Sequence, residues 1–576
     1  MRGEAFVVLS LERAGRHGVT QLQEMVARLW VRGIPVKPGM FFEGRGLSVV
    51  EEEEERARLE VPICLNHPIA QVSKEFEEKI KVELKRHFGG EKLVTEGRRW
   101  ALVDRVLEHE LGRRIRVERT FDCWGGDPWL RDHSLAENAC RPGSGEHGMI
   151  MLPLSFSVEM VLEVAAMLFP GREVERVLKC SARLWAMAEE PLVAEVVLER
   201  VGENELKGTL RSAEGIHTEM EVILRGEGKK AKLERPKMEK PGQKLRKPKH
   251  TIREIYETGA LFHGPRLQCI REVKGLSEDG ELAELEMVAA GSLFKGRDGA
   301  EFVLNPVFLD GLAQMLGVWF YEVKGNLDAM PLRVEEIQMF GPAPAEGTIL
   351  RVRMKLRHYH VTAWGDFEVL RSDGSVWLRV NGWQSFRYPQ PKFLSAFVQS
   401  PADCIVHQSS RVWRERAGMV CVERPVEFEH MKVHSVPTTV YFLMGRRERA
   451  WFLRQVKAGA EAEVSMEELG ERVLDVWLLK DAARKLLRQE GCAEKLYPTE
   501  FVLGEAAEWG PGWYRCQDPV GAGELVLHLR GKKWGGRRVA LAGRSREELK
   551  RGLEEMEAGE EGKDGEAREE RQDRYA

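Results

Sequence analysis

The chain has 576 residues, enough for about three to four domains with sizeable hydrophobic cores. Charged residues make up 31% and apolar residues 43%, and the formal net charge is −4. This balance excludes a dedicated nucleic-acid-binding protein, which would need a basic excess to bind phosphate. The nine cysteines are scattered singly with no CxxC pair, which argues against a zinc ribbon or a disulfide scaffold and predicts a reducing, cytoplasmic location.

Neither a signal peptide nor a membrane partner is predicted. The first four residues already carry charges, and no apolar core precedes a cleavage site. The longest apolar stretch, Met149 to Phe169, contains Pro153, Glu159 and Glu163, and a carboxylate inside a bilayer is costly. This stretch is therefore interpreted as a buried helix of a soluble domain.

Three segments have the composition of solvated connectors. The first is a run of five glutamates at 51–55, whose charges repel one another. The second, 229–249, carries ten Lys and Arg against two Glu and is interrupted by three prolines. It predicts an exposed linker, with contact to a carrier protein or an anionic ligand as the alternative. The third is the tail 546–576, expected to be a frayed charged helix or disordered.

Between the first two connectors, the pattern predicts strands and one long helix. The apolar residues of Arg114 to Phe121 mostly alternate with period two, as in a half-buried antiparallel strand. Leu192 to Leu198 and Glu219 to Leu224 are rich in β-branched residues and predict more deeply buried strands. Ser155 to Leu168 predicts a helix with one apolar face and two glutamates, one turn apart, on another.

The same pattern returns after the basic segment. A helix is predicted near Pro306 to Tyr321, followed by strands at Ile349 to Leu356, Thr362 to Leu370 and Val376 to Val380. Each helix needs a sheet to cover its apolar face. Two sheet-plus-helix units in tandem are therefore predicted.

Three motifs in these units could carry chemistry. His133 lies just before the loop that leads to the first helix. Asp310 and Gln314 lie one turn apart at the start of the second helix, so the amide can hydrogen-bond the acid and orient it. The sequence Phe-His-Gly-Pro at 262–265 predicts a turn that brings the backbone close to another segment.

Together these motifs resemble the dehydratase domains of polyketide synthases, which are double-hotdog folds with a catalytic His in the first hotdog and a catalytic Asp in the second. The family pattern HxxxGxxxxP falls on His133 to Pro142, with Glu137 at the usual glycine position. The family pattern DxxxQ matches Asp310 and Gln314.

The turn and the first helix extend this resemblance, which covers roughly Trp100 to Pro389. FHGPRLQ resembles the family's GPxFQ turn through Gly264 and Pro265, with Leu267 in place of Phe. The helix PLSFSVEMVLEVAAMLFPG is similar to those of dehydratases from iterative synthases of the enediyne and polyunsaturated fatty acid type.

The resemblance implies removal of water from a β-hydroxyacyl thioester. Such a reaction needs a base for the α-proton and an acid for the departing hydroxyl. Neutral His133, with an ordinary pKa, is expected to be the base, and Asp310, with a pKa raised by burial, the acid. Backbone N–H groups near Ser155 or Ser157 could stabilise charge on the thioester carbonyl.

These residues also have structural interpretations. A histidine in a loop near the core is often structural, and an aspartate at a helix start can cap the helix. The presence of His133 together with Asp310 and Gln314 favours catalysis. His147, in a Gly-rich loop, and His263, before a turn, are secondary candidates.

Two flanking segments have shorter resemblances. Val19 to Arg45 resembles the linker that follows an acyltransferase in such synthases. The sequences WLLKDAARKLL and LYP near the C-terminus are similar to 4′-phosphopantetheinyl transferases, in which an acid binds magnesium and lysines meet phosphate. Lys480 and Lys485 match the family's lysines, and Asp481 replaces the usual Glu.

The second magnesium segment of that family is damaged here. Its nearest counterpart is 419–423, where Cys421 replaces an aspartate and Glu423 remains. Asp481 and Glu423 are therefore the candidate metal ligands, and weak magnesium binding is expected because a thiol suits a hard dication poorly. The alternatives are a solvated helix face for Asp481 and Lys485, and an exposed strand end for Glu423.

The predicted fold class is α+β: a double hotdog followed by an α+β phosphopantetheinyl transferase-like domain. The predicted divisions are a post-acyltransferase linker at 1–50, hotdogs at 60–228 and 251–392, a basic linker at 229–250, the C-terminal domain at 400–545 and a tail at 546–576.

The predicted function is a dehydratase subunit of a polyketide or fatty acid synthase. Dehydration needs no cofactor of its own, since the phosphopantetheine arm of an acyl carrier protein would bring the substrate; coenzyme A and Mg²⁺ would serve only an active C-terminal domain. The other implied partner is a ketosynthase-acyltransferase subunit, and a homodimer is allowed. The alternatives are a non-catalytic synthase scaffold and a phosphopantetheinyl transferase.

Overall fold

The computed structural model describes residues 99–237, 245–297, 299–324, 329–359, 362–387, 397–406, 408–409, 419–424, 436–458, 465–521, 523–534 and 537–555. Residues 1–98 lie outside this described part of the chain. The predicted linker at 1–50 and the glutamate run therefore lie outside the described part of the chain.

The first unit surrounds one helix, α1 (Leu154–Leu168), with antiparallel strands. α1 begins directly after Pro153, one residue before the predicted start. The predicted strand Arg114–Phe121 has the same bounds in the structure, and every second residue is buried. The strands of this unit are β1 Arg99–Trp100, β2 Arg105–Glu110, β3 Arg114–Phe121, β4 Ser134–Leu135, β5 Met149–Ile150, β6 Val174–Ala182, β7 Leu192–Arg200, β8 Glu205–Ser212 and β9 Gly215–Leu224.

The second unit repeats this arrangement around α3 (Pro306–Trp319), after a short helix α2 (Ile252–Glu257). The predicted strand Thr362–Leu370 is confirmed with the same bounds, while the strands before and after it are longer than predicted. The strands are β10 Ile270–Ser277, β11 Gly280–Glu286, β12 Ala300–Glu301, β13 Ala329–Met339, β14 Ile349–Tyr359, β15 Thr362–Leu370 and β16 Val376–Arg387.

The two units share one antiparallel sheet of twelve strands, in the order β10-β11-β14-β15-β16-β13-β6-β9-β8-β7-β3-β2. The join is β6 against β13, where Val177 lies opposite Ile337. α1 packs on the first half of the sheet and α3 on the second, and the two helices contact each other. The predicted tandem of two sheet-plus-helix units is therefore confirmed, and the core is continuous across both.

The two glutamates of α1, Glu159 and Glu163, are fully buried. Glu159 accepts hydrogen bonds from the backbone amides of residues 303–304, and Glu163 from those of residues 101–102. Burial, reinforced by the neighbouring Glu159, raises the pKa of Glu163 well above its usual range. The two glutamates thus tie loops from both units to α1.

Among the described residues, no helix is long and apolar enough to cross a membrane.

The described ends of the basic segment run along the second unit. The backbone amide of Lys237 donates to the buried Glu368 at 2.9 Å. The amides of Lys249 and His250 donate to the buried Glu322 at 2.8 and 3.0 Å. The lysine side chains of these described ends are exposed, and both ends are attached to the second unit through their backbone.

A third unit follows. Its elements are β17 Gln408–Ser409, β18 Met419–Glu423, α4 Val436–Leu443, α5 Arg446–Ala458, α6 Met466–Gln489, β19 Leu503–Glu505, β20 Trp513–Gln517, β21 Glu524–Trp534 and β22 Arg537–Gly543. The strands form an antiparallel sheet in the order β17-β18-β22-β21-β20-β19. The long helix α6 covers one face and a helix at 546–555 the other, where Leu549 and Leu553 are buried. The expected charged tail therefore begins later than residue 546.

Candidate active site

His133 is positioned by the segment that precedes it. A short 3-10 helix, Pro128–Asp132, begins at a proline, whose fixed φ suits the first helical position. Trp129 in this helix is fully buried and stacks on Phe156 of α1, with ring centroids 3.8 Å apart. β4 then pairs with β5. His133 is thereby held in the interior with 7% of its surface exposed.

The His133 ring is fixed in one tautomer. Its Nδ1 atom lies 2.9 Å from the carbonyl oxygen of Met151. Because a carbonyl oxygen only accepts, Nδ1 carries the proton and Nε2 keeps its electron pair. Burial lowers the pKa of His133 to about 4, opposed by Asp310 and reinforced by His263. The ring is neutral at pH 7, but the expected ordinary pKa is wrong, because the ring is buried.

Asp310 lies in the first turns of α3 and is also buried, with 6% exposure. The expected bond from Gln314 is present: its Nε2 donates to Oδ2 of Asp310 at 2.8 Å and also to the carbonyl of Leu267 at 3.0 Å. The hydroxyl of Tyr256 donates to Oε1 of Gln314 at 2.5 Å. From the first unit, Ser155 Oγ reaches the other oxygen, Oδ1, at 3.5 Å. Gln314 thus fixes the carboxylate.

The charge state of Asp310 differs from the expectation. Burial alone would raise the pKa of this carboxyl group. The imidazole of His263, by charge and by hydrogen bond, then His133 and the Gln314 amide, outweigh burial and leave the pKa below its usual value. The expected raised pKa of Asp310 is therefore wrong for the protein without substrate.

His263 is the third side chain of the site, and its position was not evident from the sequence. Its Nε2 lies 3.2 Å from Oδ2 of Asp310, and its ring centroid lies 5.3 Å from that of His133. A single antiparallel β-bridge joins the backbones of the two histidines. The signal in the sequence was only that His263 precedes a Gly-Pro turn, whereas its bridge partner lies far away along the chain.

The turn after His263 explains why Gly264 and Pro265 belong to the site. The amide of Gly264 donates to the carbonyl of Asp132 at 2.7 Å. A Cβ atom at Gly264 would lie 2.7 Å from Cγ of Asp132, so only glycine permits this approach. Pro265 begins the short 3-10 helix Pro265–Leu267. These two residues support the site by closing the second unit on the segment that carries His133.

The three side chains form one buried cluster. One ligand-type atom from each of His133, His263 and Asp310 lies within 4.8 Å of the other two. A neutral imidazole beside a second imidazole that pairs with a carboxylate can accept one proton and donate another. Two imidazoles and a carboxylate can also ligate a divalent cation such as zinc.

Other predicted residues lie outside this cluster. Pro142 is exposed, so it does not line the buried site, and its predicted supporting role is not favoured. Glu137 accepts hydrogen bonds from Nδ1 of His147 at 3.0 Å and from the amide of Gly148 at 3.2 Å. The backbone amide of Ser157 donates to the carbonyl of Pro153, whereas Ser155 Oγ lies 3.5 Å from Asp310.

The structure corrects the expectation for Lys480 and Asp481. Both side chains are fully buried. Lys480 Nζ donates to the carbonyl of Leu443 at 2.5 Å, to Glu448 at 2.6 Å and to the carbonyl of Pro498 at 3.0 Å. An ammonium group has three protons, so the expected contact with phosphate is wrong for this arrangement.

Asp481 is equally occupied. Its Oδ2 accepts from the amide of Val406 at 2.8 Å, and its Oδ1 pairs with Arg484 at 3.2 Å. A carboxylate held in this way inside the core is not open to a hydrated magnesium ion, which keeps several waters. Lys485, by contrast, is half-buried.

Glu423 and Asp481 do not share a face of the sheet. Alternate residues of a strand point to opposite faces. Glu423 has the parity of Met419 and Cys421, which pack on the side of the 546–555 helix, whereas α6 with Asp481 covers the opposite side. The predicted pair of metal ligands is therefore not assembled. Burial also raises the pKa of Cys421 to about 12, with a smaller contribution from Glu423.

Residues 239–394 match the family model described as "Polyketide synthase dehydratase N-terminal domain". The matched segment corresponds to the second unit and contains His263, Asp310 and Gln314. No curated protein is significantly similar to the chain in sequence.

Several solved structures that are similar to this chain are dehydratase domains, at low sequence identity. The dehydratase domain from the CurF module of curacin polyketide synthase is 14% identical, covers 50% of this chain and 98% of its own, and has a TM-score of 0.39. The domain from the CurJ module is 15% identical, covers 50% and 96%, and scores 0.40. The dehydratase domain of PpsC from Mycobacterium tuberculosis, in complex with C12:1-CoA, is 17% identical, covers 50% and 99%, and scores 0.38.

Proposed function

We propose that the buried cluster is the active site of a dehydratase, which removes water from a β-hydroxyacyl thioester to give an enoyl thioester. The observation that carries this proposal is the pairing of an unprotonated Nε2 of His133, from the first unit, with Asp310, from the second, inside one cluster. A base and an acid side that face each other within a few ångströms suit an elimination across two adjacent carbons.

His133 is the base of this reaction. The bond from its Nδ1 to the Met151 carbonyl orients the ring and leaves Nε2 to accept the α-proton of the substrate. Nucleophilic catalysis is not needed, because the thioester itself makes the α-proton acidic. The first turn of α1, next to Ser155, is where backbone N–H groups would stabilise negative charge on the thioester carbonyl.

Asp310 belongs to the acid side, where the hydroxyl leaves. Gln314 and Ser155 hold its two oxygens, and His263 pairs with it. The match of residues 239–394, which include Asp310, to the polyketide synthase dehydratase family model supports this assignment. The resemblance to these dehydratases also supports a substrate carried on the phosphopantetheine arm of an acyl carrier protein. It likewise supports a ketosynthase-acyltransferase subunit as a partner.

The third unit has a structural role in this proposal. Its phosphopantetheinyl transferase-like residues Lys480 and Asp481 are used inside its own core. It also contacts the loop that follows His133, because the Thr499 hydroxyl donates to the carbonyl of Ala139 at 2.8 Å. These contacts favour a third unit that supports the dehydratase site over one that is an active transferase.

The test is conversion of a β-hydroxyacyl pantetheine thioester, with mass spectrometry to detect loss of one water. His133→Phe and Asp310→Asn should each lower the rate by about 10²-fold or more, since general acid–base groups contribute on that scale. The double variant should lose little beyond the worse single variant, because the two residues act as a unit.

The matched control is His147→Phe. This half-buried histidine lies in the same loop region and pairs with Glu137 outside the cluster, so its rate should stay near that of the wild type. Each assay is run with and without a chelator, which removes any cation bound to the cluster. A wild type that is inactive with and without chelator would leave the scaffold alternative in place of the dehydratase.

A further inference from the structure

His263 is held rigidly against the acid side of the site. Its Nε2 lies 3.2 Å from Oδ2 of Asp310, and only 8% of its surface is exposed. The side-chain amide of Gln268 donates to the backbone carbonyl of His263 at 2.8 Å. The Phe262 ring stacks on the His263 ring, with 4.3 Å between the centroids. The structure therefore gives the ring a defined place and a defined partner.

The other ring nitrogen of His263 has no such partner. Nδ1 is buried and makes no hydrogen bond to any described residue. A buried polar atom without a partner costs free energy, and in native proteins such atoms usually meet a ligand, a water or an ion. Nδ1 is thus available to a polar group of a bound substrate.

Asp310 is surrounded by groups that favour its ionised form. Gln314 donates to it at 2.8 Å, Ser155 Oγ donates at 3.5 Å, and Nε2 of His263 lies 3.2 Å from its Oδ2. Burial alone would raise the pKa of Asp310, but His263, then His133 and Gln314, hold this pKa below its usual value. A carboxylate in this state accepts protons poorly and holds a neighbouring imidazolium well.

We propose that His263 is a catalytic residue which, through Nδ1, protonates the departing β-hydroxyl, with Asp310 as its anionic partner at Nε2. This inference rests on the proposed function and replaces Asp310 as the direct acid. The α-carbon–hydrogen bond breaks and its proton goes to Nε2 of His133, while its electron pair forms the carbon–carbon double bond. The carbon–oxygen bond breaks, and the hydroxyl takes the Nδ1 proton of His263 and leaves as water.

The cluster also allows the site to reset. After one turnover His133 has gained a proton and His263 has lost one. The two rings are 5.3 Å apart between centroids, and Asp310 lies beside both within the 4.8 Å cluster. One proton transfer from the first ring to the second restores the starting state, and no external reagent is needed.

The experiment compares two substrates that differ only in the leaving group. A β-hydroxyacyl pantetheine thioester needs a proton to release hydroxide, whereas a β-chloroacyl thioester releases chloride without one. His263→Gln should lower the β-hydroxy rate by about 10²-fold but should retain a β-chloro rate close to that of the wild type, after subtraction of the non-enzymatic reaction. His133→Phe should lose both rates, because both substrates need the base.

Three outcomes would overturn this assignment. If His263→Gln keeps the β-hydroxy rate, Asp310 is the direct acid, since removal of the imidazole would raise the pKa of Asp310 and make it a better donor. If the variant loses both rates equally, and His263→Asn does the same while both keep the wild-type circular dichroism, His263 only positions its neighbours. If the wild type converts neither substrate, the proposed function fails, and the inference fails with it.

Discussion

At His133, burial and one hydrogen bond together determine the chemistry of the ring. The bond from Nδ1 to the Met151 carbonyl selects the tautomer, and burial lowers the pKa to about 4. A base with this pKa is ready at any pH above about 5, but it holds an abstracted proton weakly. That combination suits a group that must release its proton again in every cycle.

The depressed pKa leads to a prediction about pH. The His133 ring becomes protonated, and ceases to be a base, only when the pH falls through about 4. The acid limb of kcat/KM, which reports the free enzyme, should therefore lie near pH 4. Steady-state rates on a small β-hydroxyacyl thioester across the acid range measure it, and His147→Phe should show the same limb. An acid limb near the ordinary histidine pKa of about 6.5 would contradict the assigned environment.

The site positions of some residues could be predicted from the sequence, and those of others could not. The bond between Asp310 and Gln314 could be predicted, because one helical turn fixes their separation. His263 could not be placed in the site, since its bridge partner His133 comes from the other unit. Lys480 was misassigned because a motif gives the residue type, whereas its burial against Glu448 follows from packing.

At the scale of elements, the loop that follows His133 is held by the third unit. Ala136 and Ala139 of this loop join the hydrophobic core of that unit. Arg141 forms a two-pronged ion pair with Glu500, one contact being 3.1 Å, and lies over the ring of Tyr497 at 5.2 Å. The backbone that carries His133 is thus anchored on both sides, by α1 through Trp129 and by the third unit.

This anchorage predicts a coupled loss in one variant. Arg141→Ala should lower the free energy of unfolding by about 1 kcal/mol, because the pair is partly exposed and charge-assisted. It should also lower kcat by several-fold, since the loop can then displace His133. Chemical denaturation and turnover measure the two effects.

Arg253→Ala provides the control for Arg141→Ala. Arg253 pairs with Glu257 on α2, and 84% of its side chain is exposed. Its removal should change neither stability nor turnover appreciably. If Arg141→Ala affects kcat no more than Arg253→Ala does, the third unit does not position the site.

Elements with a regular pattern could be predicted, and those fixed by distant contacts could not. β3 keeps period two and was predicted with its observed bounds. The ends of β14 and β16 extend beyond the prediction because neighbouring strands continue to pair with them. The basic segment was predicted as a connector, but its attachment to Glu322 and Glu368 depends on residues far along the chain.

For the whole molecule, the site exists only when both hotdog units are joined. His133 comes from the first unit, and His263 and Asp310 from the second. The pairing of β6 with β13 and the contact of α1 with α3 bring the halves together. The order of the motifs indicated such a fold, but not how close the two halves bring the site residues.

The third unit allows a prediction about transferase activity. Because Lys480 and Asp481 are buried in ion pairs and Glu423 lies on the other face of the sheet, coenzyme A binding should be weak and insensitive to magnesium. No conversion of an apo carrier protein to its holo form is expected. A mass gain of one phosphopantetheine that Asp481→Ala abolishes would show an active transferase instead.

The central claim, elimination of water across the α and β carbons, is tested most directly with a substrate that carries two deuterium atoms at the α carbon. With the wild-type protein, the account predicts loss of one HDO from the thioester, an enoyl product that retains one deuterium, and a slower rate than for the unlabelled substrate. His133→Phe should abolish the loss. Loss of H₂O with both deuterium atoms retained would mean that the proton is removed from a carbon other than the α carbon of the acyl group. An unchanged substrate mass would show that the cluster does not dehydrate the substrate. Either result would contradict the account.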